Sequence, residues 1–181
     1  GIKNVLASSG TSLTKDQIIL IKRLSTNITI IFDSDKAGIA AAHRSVDMIL
    51  DEGMNVKVCL LPDGEDPDSF VKKNGKESML EYIKKESKDF IDFKINSNKE
   101  AFQDEDKKVS LIKDILRSIS LISDSIKQEV YVKKLSNALE IEESSLLRSL
   151  SNIGFSKNYN KKSIKTQGNV ISKVVNNSKI D

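Results

Sequence analysis

Apolar runs of strand length alternate with helix-like segments along the first third of the chain. The runs read "NVLASS" at 4–9, "ITIIF" at 28–32 and "VKVCLLP" at 56–62. Between them, Thr14 and Gln17 have the spacing of a capping box, and a segment rich in small residues extends over 36–52 and stops before Gly53. Short connections between strands and helices predict an α/β fold in which helices flank a parallel sheet with right-handed crossovers.

Beyond Pro62 the pattern is helical. The stretch "DPDSFVKKNG" predicts a short helix that stops at Asn74 and Gly75, and residues 76–84 predict another. From 86 to 153, apolar residues recur at helical spacing, at Phe90, Phe93, Val109, Ile112, Leu116, Ile119, Ile126, Val130, Leu135 and Leu139. We therefore expect a sheet-bearing domain at 1–85, a small all-helical subdomain at 86–153, and a linker or disordered tail at 154–181, which is rich in Asn, Ser and Lys.

Composition narrows the chemistry that the chain can carry. The net charge of +3 is unevenly distributed. The segment from Gly154 onward is basic, with six lysines and one aspartate. No apolar run approaches the roughly 20 residues that span a bilayer, so we expect a cytoplasmic protein with no membrane partner. A single cysteine, Cys59, and a single histidine, His43, argue against a zinc site or a histidine-based triad in these residues. Carboxylates, hydroxyls and lysines must carry any chemistry.

Two aspartates, Asp33 and Asp35, follow the run at 28–32 directly. Side chains two residues apart on an extended strand point the same way, so these carboxylates can converge, and their repulsion favours a cation between them. Oxygen ligands without His or Cys suit Mg²⁺ or Mn²⁺. Gly38 and neighbouring alanines keep the start of the next helix slim enough to approach a phosphate. The alternative is that Asp35 only caps this helix.

A second acidic segment follows the run at 56–62, with carboxylates at Asp63, Glu65, Asp66 and Asp68. Helix capping explains part of it, because Asp66 is a good N-cap residue and Pro67 a good first helical residue. Neighbouring parallel strands would nevertheless bring both acidic segments to the same edge of the sheet. Together they predict a two-cation site for phosphoryl transfer.

The motifs "FDSDKAG" and "LLPDGEDPDSFVKKNG", preceded by "VLASSGTSLT", resemble the Toprim domain of bacterial DnaG-type DNA primases over residues 1–75. The resemblance implies catalytic Mg²⁺ or Mn²⁺ ions on Asp33 and Asp35. It also implies the following roles: a further cation and nucleotide phosphates at Asp66 and Asp68, phosphate contacts at Lys36 and Gly38, and a turn beneath the site at Gly10 and Thr11. Lys36 has the alternative of a solvated helix-surface lysine. Ser34 departs from the family pattern, which has glycine between the aspartates.

The activity implied by this resemblance is metal-dependent nucleotidyl transfer that makes a short RNA primer on a single-stranded DNA template from ribonucleoside triphosphates. The replicative helicase is the implied partner, through a C-terminal region absent from these residues. The family's EGxxD segment, its zinc-binding domain and the basic half of its polymerase core are also absent from them. We therefore expect part of a longer primase, inactive alone and without zinc.

Two other hypotheses fit the same residues. A Toprim domain also occurs in topoisomerases and nucleases, although a topoisomerase needs an active tyrosine, and Tyr82, Tyr131 and Tyr159 fall in helical or tail segments. In the second hypothesis the acids only cap helices, and the helical subdomain with its basic tail is a non-catalytic docking module of the replication machinery. Titration with Mg²⁺ or Mn²⁺ separates this module from the enzymes.

Overall fold

The structure, a computed structural model, describes residues 2–8 and 13–153. Its elements run in the order α1 (Lys15–Lys22), β1 (Asn27–Phe32), α2 (Lys36–Asp51), β2 (Asn55–Leu60), α3 (Pro67–Glu86), β3 (Lys88–Asp89), α4 (Phe90–Asn96), a 3₁₀ turn (Lys99–Gln103), α5 (Glu105–Ser120) and α6 (Ser125–Leu139). Residues 143–153 form a further helix, α7. No helix in the described ranges is both long and apolar enough to cross a membrane.

The sheet has the order β1-β2-β3 and is mixed. β1 and β2 are parallel, with Asn27 opposite Asn55 and Phe32 opposite Leu60, as their apolar runs predict. β3 is antiparallel to β2, so the prediction of an all-parallel sheet is wrong for this strand. Its two residues, Lys88 and Asp89, show no apolar alternation from which a strand could be predicted.

The first predicted strand is not formed at residues 4–8. Val5 and Leu6 are 61% and 70% exposed, and Asn4 has a left-handed φ of 60° that interrupts an extended backbone. An apolar run becomes a strand only when another strand pairs with it, and these described residues have no ladder partner in the sheet.

Local signals place the helix ends where the sequence indicates. Thr14 caps α1, and a capping box joins the Thr14 N–H to Gln17 Oε1 at 2.9 Å. α2 ends before Gly53, whose φ of +74° suits the residue beyond a helix. The predicted stop at Gly75 is a kink within α3, where φ is 84° and ψ is 168°. The chain therefore has two helical pieces there, as predicted.

One large apolar core joins the sheet to the later helices. It contains residues of both parallel strands, α2, α4, α5, α6 and α7, among them Ile30, Val46, Val58, Phe90, Ile115, Leu135 and Leu146. A smaller cluster around Leu61, Phe70 and Met79 lies between α3 and the sheet. Three apolar positions of the predicted helical pattern, Val109, Ile126 and Val130, lie exposed on outer helix faces. Helices α4 to α7 thus pack directly on the sheet-bearing part.

An ion-pair network around the buried Lys94 also connects α2, α4 and α5. The ammonium group of Lys94, whose side chain is only 1% exposed, lies 2.8 Å from Asp114 Oδ2 and 3.3 Å from Asp47 Oδ1. Ser118 donates a hydrogen bond of 2.6 Å to Asp47 Oδ1. Burying a lysine is costly unless carboxylates pair with it, so this network requires the three helices to keep their present arrangement.

Candidate functional site

The first acidic segment, residues 33–35, leaves the carboxyl end of β1 and leads directly into α2. Asp33 and Asp35 are both exposed. Asp35 is the N-cap of α2, and its Oδ1 accepts a hydrogen bond of 2.6 Å from the Gly38 N–H. The alternative that Asp35 caps α2 is therefore confirmed. It uses one carboxylate oxygen, which leaves the second for another ligand.

The nearby backbone of the chain requires glycine at position 38. A Cβ at this position would lie 2.3 Å from the backbone oxygen of Asp33 and 3.1 Å from Asp35 Oδ1. The sequence predicts a close approach at Gly38, and the structure assigns that approach to the backbone of Asp33. Contact of Gly38 with a phosphate stays a prediction, as does contact of Lys36, which is exposed at the first position of α2.

The second acidic segment, residues 63–68, leaves β2 and starts α3. Asp66 is the N-cap, and its Oδ1 accepts from the N–H groups of Asp68 at 2.8 Å and Ser69 at 2.9 Å. The bond from the Ser69 N–H holds the pKa of Asp66 below its ordinary value, so this carboxylate is charged at neutral pH. Pro67 is the first residue of α3, which confirms the predicted capping arrangement.

Lysines of α3 neutralise the flanking acids of this segment. Asp68 Oδ2 lies 2.6 Å from the Lys72 ammonium, on the exposed surface. Glu65 forms an ion pair of 2.7 Å with Lys73, and the hydrogen bond from Lys73 lowers the pKa of Glu65. Asp68 is thus available to a ligand only in competition with a neighbouring lysine.

The two acidic segments touch each other. Ser34 Oγ donates a hydrogen bond of 2.6 Å to Asp63 Oδ1. Pairing of β1 with β2 extends to this edge, where the Leu61 N–H donates to the Phe32 carbonyl at 3.0 Å. The prediction that neighbouring parallel strands bring both segments to one edge of the sheet is therefore confirmed.

The donor chemistry of this edge fits a hard divalent cation, because it consists of exposed carboxylates without sulfur or imidazole. Within residues 2–8 and 13–153, however, no group of three or more acids, histidines or cysteines is arranged to hold a metal ion. The structure brings the segments together without joining Asp33, Asp35, Asp66 and Asp68 into one ligand set. Their assignment as metal ligands stays a prediction, and Gly10 and Thr11 lie outside the described residues.

Comparison with known families gives two matches that together cover most of the described chain. A Toprim-like family model matches residues 1–71. This range contains both acidic segments and the first residues of α3. A second model, the DnaB-helicase binding domain of primase, matches residues 91–144. This match lies within the predicted helical subdomain, whereas the resemblance to primases implies helicase contact through a C-terminal region beyond it.

Curated relatives are DNA primases. The primase of Clostridium acetobutylicum is 37% identical over 180 residues, which are 98% of this chain and 28% of that protein. The primase of Listeria innocua is 35% identical over 144 residues, 78% of this chain and 23% of that protein. The chain thus spans about a quarter of the length of these relatives.

Solved structures give the same result for the fold. A DnaG catalytic core shares 31% identity with a TM-score of 0.65, covering 76% of this chain and 46% of that one. A DnaG primase catalytic domain bound to single-stranded DNA shares 29% identity with a TM-score of 0.61, covering 71% of this chain and 43% of that one. Family models, curated relatives and solved structures agree, and the chain belongs to the bacterial DnaG-type DNA primases.

Proposed function

We propose that this chain supplies the acidic catalytic segments of a DNA primase, which makes short RNA primers on single-stranded DNA by metal-dependent nucleotidyl transfer. One observation carries the proposal: the Toprim-like match over residues 1–71 contains the two acidic segments that the Ser34–Asp63 hydrogen bond holds together. The curated primases and the DnaG core bound to single-stranded DNA support the same reaction and template.

Each acidic segment has a separate task in this proposal. Asp33 and Asp35 hold a Mg²⁺ or Mn²⁺ ion, and Asp66 and Asp68 hold a further ion next to the phosphates of the incoming ribonucleoside triphosphate. Such ions, when bound, neutralise charge on the triphosphate and on the attacking hydroxyl. The amino-terminal end of α2, with Lys36 at its first position, adds positive potential toward the phosphates.

Primer synthesis belongs to the whole primase in this proposal. The 181 residues span about a quarter of their curated relatives, so they supply only part of the surface that holds template, nucleotides and primer. We expect no primer synthesis from this chain alone.

A chimeric enzyme tests the proposal. This chain replaces the matching 180 residues of the Clostridium acetobutylicum primase, and primer synthesis is measured on single-stranded DNA with ribonucleotides and Mg²⁺ or Mn²⁺. Two variants remove one carboxylate each, Asp33→Asn and Asp35→Ser. Serine is itself a good N-cap, so the second variant keeps the cap of α2 while removing the cation ligand.

Asp124→Ser is the matched control, because Asp124 caps α6 through the N–H groups of Ile126 and Lys127. We expect the chimera and the control to make primers and both site variants to lose about 100-fold or more in rate. Primer synthesis at the control rate by both site variants would contradict the proposal.

Helicase docking is a second candidate function of the same chain, favoured by the family match over 91–144. These residues include α4, α5 and α6, and α6 exposes the apolar side chains of Ile126 and Val130. The test is binding of the chain to a replicative helicase of the DnaB type by calorimetry. Loss of binding in Ile126→Asp with Val130→Asp, but not in the exposed control Leu24→Asp outside the matched range, would support docking; equal binding by all three proteins would contradict it.

A further inference from the structure

Ser34 is the residue that joins the two acidic segments. It lies between Asp33 and Asp35 and is partly buried. Its hydroxyl donates to Asp63 Oδ1 at 2.6 Å, across a sequence separation of 29 residues. A side-chain hydrogen bond thus connects the loop that follows β1 with the loop that follows β2.

The backbone at position 34 does not require glycine, although the related motif has one. Among the described non-glycine residues, only Asn4 and Glu140 have positive φ. Ser34 is therefore in a conformation that any L-residue adopts, and its hydroxyl is available without backbone strain. The serine adds a contact that glycine cannot make.

Asp63 is exposed and begins a segment of like charge, with Glu65, Asp66 and Asp68 following it. The Ser34 hydroxyl is a neutral hydrogen-bond donor to this carboxylate, so it adds no cation that would compete with a metal ion at the site. Asp63 lies within a turn closed by a 3.1 Å hydrogen bond from the Glu65 N–H to the Pro62 carbonyl, with Gly64 at a φ of +77°. The turn leads directly to the Asp66 cap, so the bond to Asp63 connects the loop after β1 with the loop that leads into α3.

We infer that Ser34 is a positioning residue that sets the distance between the Asp33–Asp35 pair and the Asp66–Asp68 pair, with Asp63 as its acceptor. The inference rests on the proposed function, because it concerns the ligands of the same cations. It assigns Asp63 a structural role separate from cation binding.

The test uses the 181-residue chain with three substitutions at one position. Ser34→Ala and Ser34→Gly remove the hydroxyl, and Ser34→Thr keeps it. Mn²⁺ affinity is measured by calorimetry, and amide hydrogen exchange of residues 61–66 is measured without metal. We expect Ala and Gly to weaken Mn²⁺ binding about fivefold and to speed exchange at Glu65 and Asp66 about fivefold, with the thermal midpoint almost unchanged. We expect Ser34→Thr to retain the Mn²⁺ affinity and the amide exchange rates of the unmodified chain.

Control substitutions separate this inference from the proposed function. If Asp35→Ser weakens Mn²⁺ binding while Ser34→Ala does not, the inference is wrong and the cation site stands. If neither Asp33→Asn nor Asp35→Ser changes Mn²⁺ binding, the proposed cation site is wrong. In that case amide hydrogen exchange measured without metal still tests the role of Ser34. Unchanged exchange rates in Ser34→Ala would overturn its positioning role.

Discussion

Gly38 packs so closely on Asp33 that a Cβ at position 38 would lie 2.3 Å from the Asp33 backbone oxygen. Real Cβ atoms do not approach an oxygen this closely, so the helix start and the acidic segment fit only with glycine there. Asp35 closes the same turn from the other side, through its bond to the Gly38 N–H. The geometry of the first acidic segment therefore depends on a residue that has no side chain.

We predict that Gly38→Ala destabilises the protein although alanine is the better helix former. Its methyl group must displace either Asp33 or the first turn of α2, which costs about 1–3 kcal/mol. Urea unfolding measures the change. The control is Ala40→Ser, an exposed position of the same helix where one atom is added without a clash. Equal or higher stability of Gly38→Ala would show that the helix start has room to shift.

Removal of the buried Lys94 ammonium should be among the most damaging single changes in the helical part of the chain. Lys94→Met removes the cation that Asp47 and Asp114 share and leaves Asp114 only its longer 3.9 Å pair with Arg117, so we expect a loss of about 2–4 kcal/mol in the free energy of unfolding. Lys107→Met is the control, because Lys107 is exposed and its pair with Asp104 is 3.9 Å long. Similar losses in the two variants would contradict a special role for the buried network.

Stability should decrease as the pH falls below about 7, because of His43. Burial and the nearby Lys94 ammonium hold the pKa of His43 below its ordinary value of 6.5, against the opposing pull of Asp114 and Asp47. Below pH 6.5 the unfolded chain therefore binds a proton that the folded chain does not, which favours unfolding.

The expected slope is at most about 1.4 kcal/mol per pH unit between pH 7.0 and 5.5, measured by urea unfolding. His43 is the one histidine of the chain, so the assignment is direct. His43→Gln keeps a polar group near Ser97 Oγ, which lies 3.0 Å from His43 Nε2, but it cannot titrate. The slope should vanish in this variant. The same slope in both proteins would assign it to carboxylates.

Local sequence signals predict much of the fold. The capping box at Thr14, the stop at Gly53 and the break at Gly75 depend on backbone preferences of a few neighbouring residues, and all three are observed. Strands depend on partners elsewhere in the chain. For that reason residues 4–8 are predicted wrongly as a strand, and β3 (Lys88–Asp89) is missed.

The candidate site likewise has features that the sequence predicts and features that it does not. The parallel pairing of β1 and β2 suffices to predict that the two acidic segments meet at one edge. The bond from Ser34 to Asp63 is missed because the sequence shows only a departure from a glycine pattern. Lys94 is missed because a helical lysine normally faces solvent, and its burial depends on carboxylates from two other helices. Its spacing of four from Phe90, on the buried face, is the signal that could have found it.

The cap role of Asp35 changes how its cation binding has to be tested. Asp35→Ala removes both the carboxylate and the N-cap, which by itself costs about 1 kcal/mol. Asp35→Ser retains a capping oxygen, so a change in metal binding can be read without loss of the helix start. Asp33→Asn needs no such correction, because Asp35 provides the cap.

Calorimetric titration of the 181-residue chain with Mn²⁺ tests the central claim most directly. We predict that the unmodified chain and the Asp124→Ser control bind Mn²⁺ with the same affinity. Asp33→Asn and Asp35→Ser should each weaken that binding by at least about tenfold, with little change in thermal midpoint. Equal Mn²⁺ affinity in all four proteins, or no Mn²⁺ binding by the unmodified chain, would contradict a cation site at the edge where the two acidic segments meet.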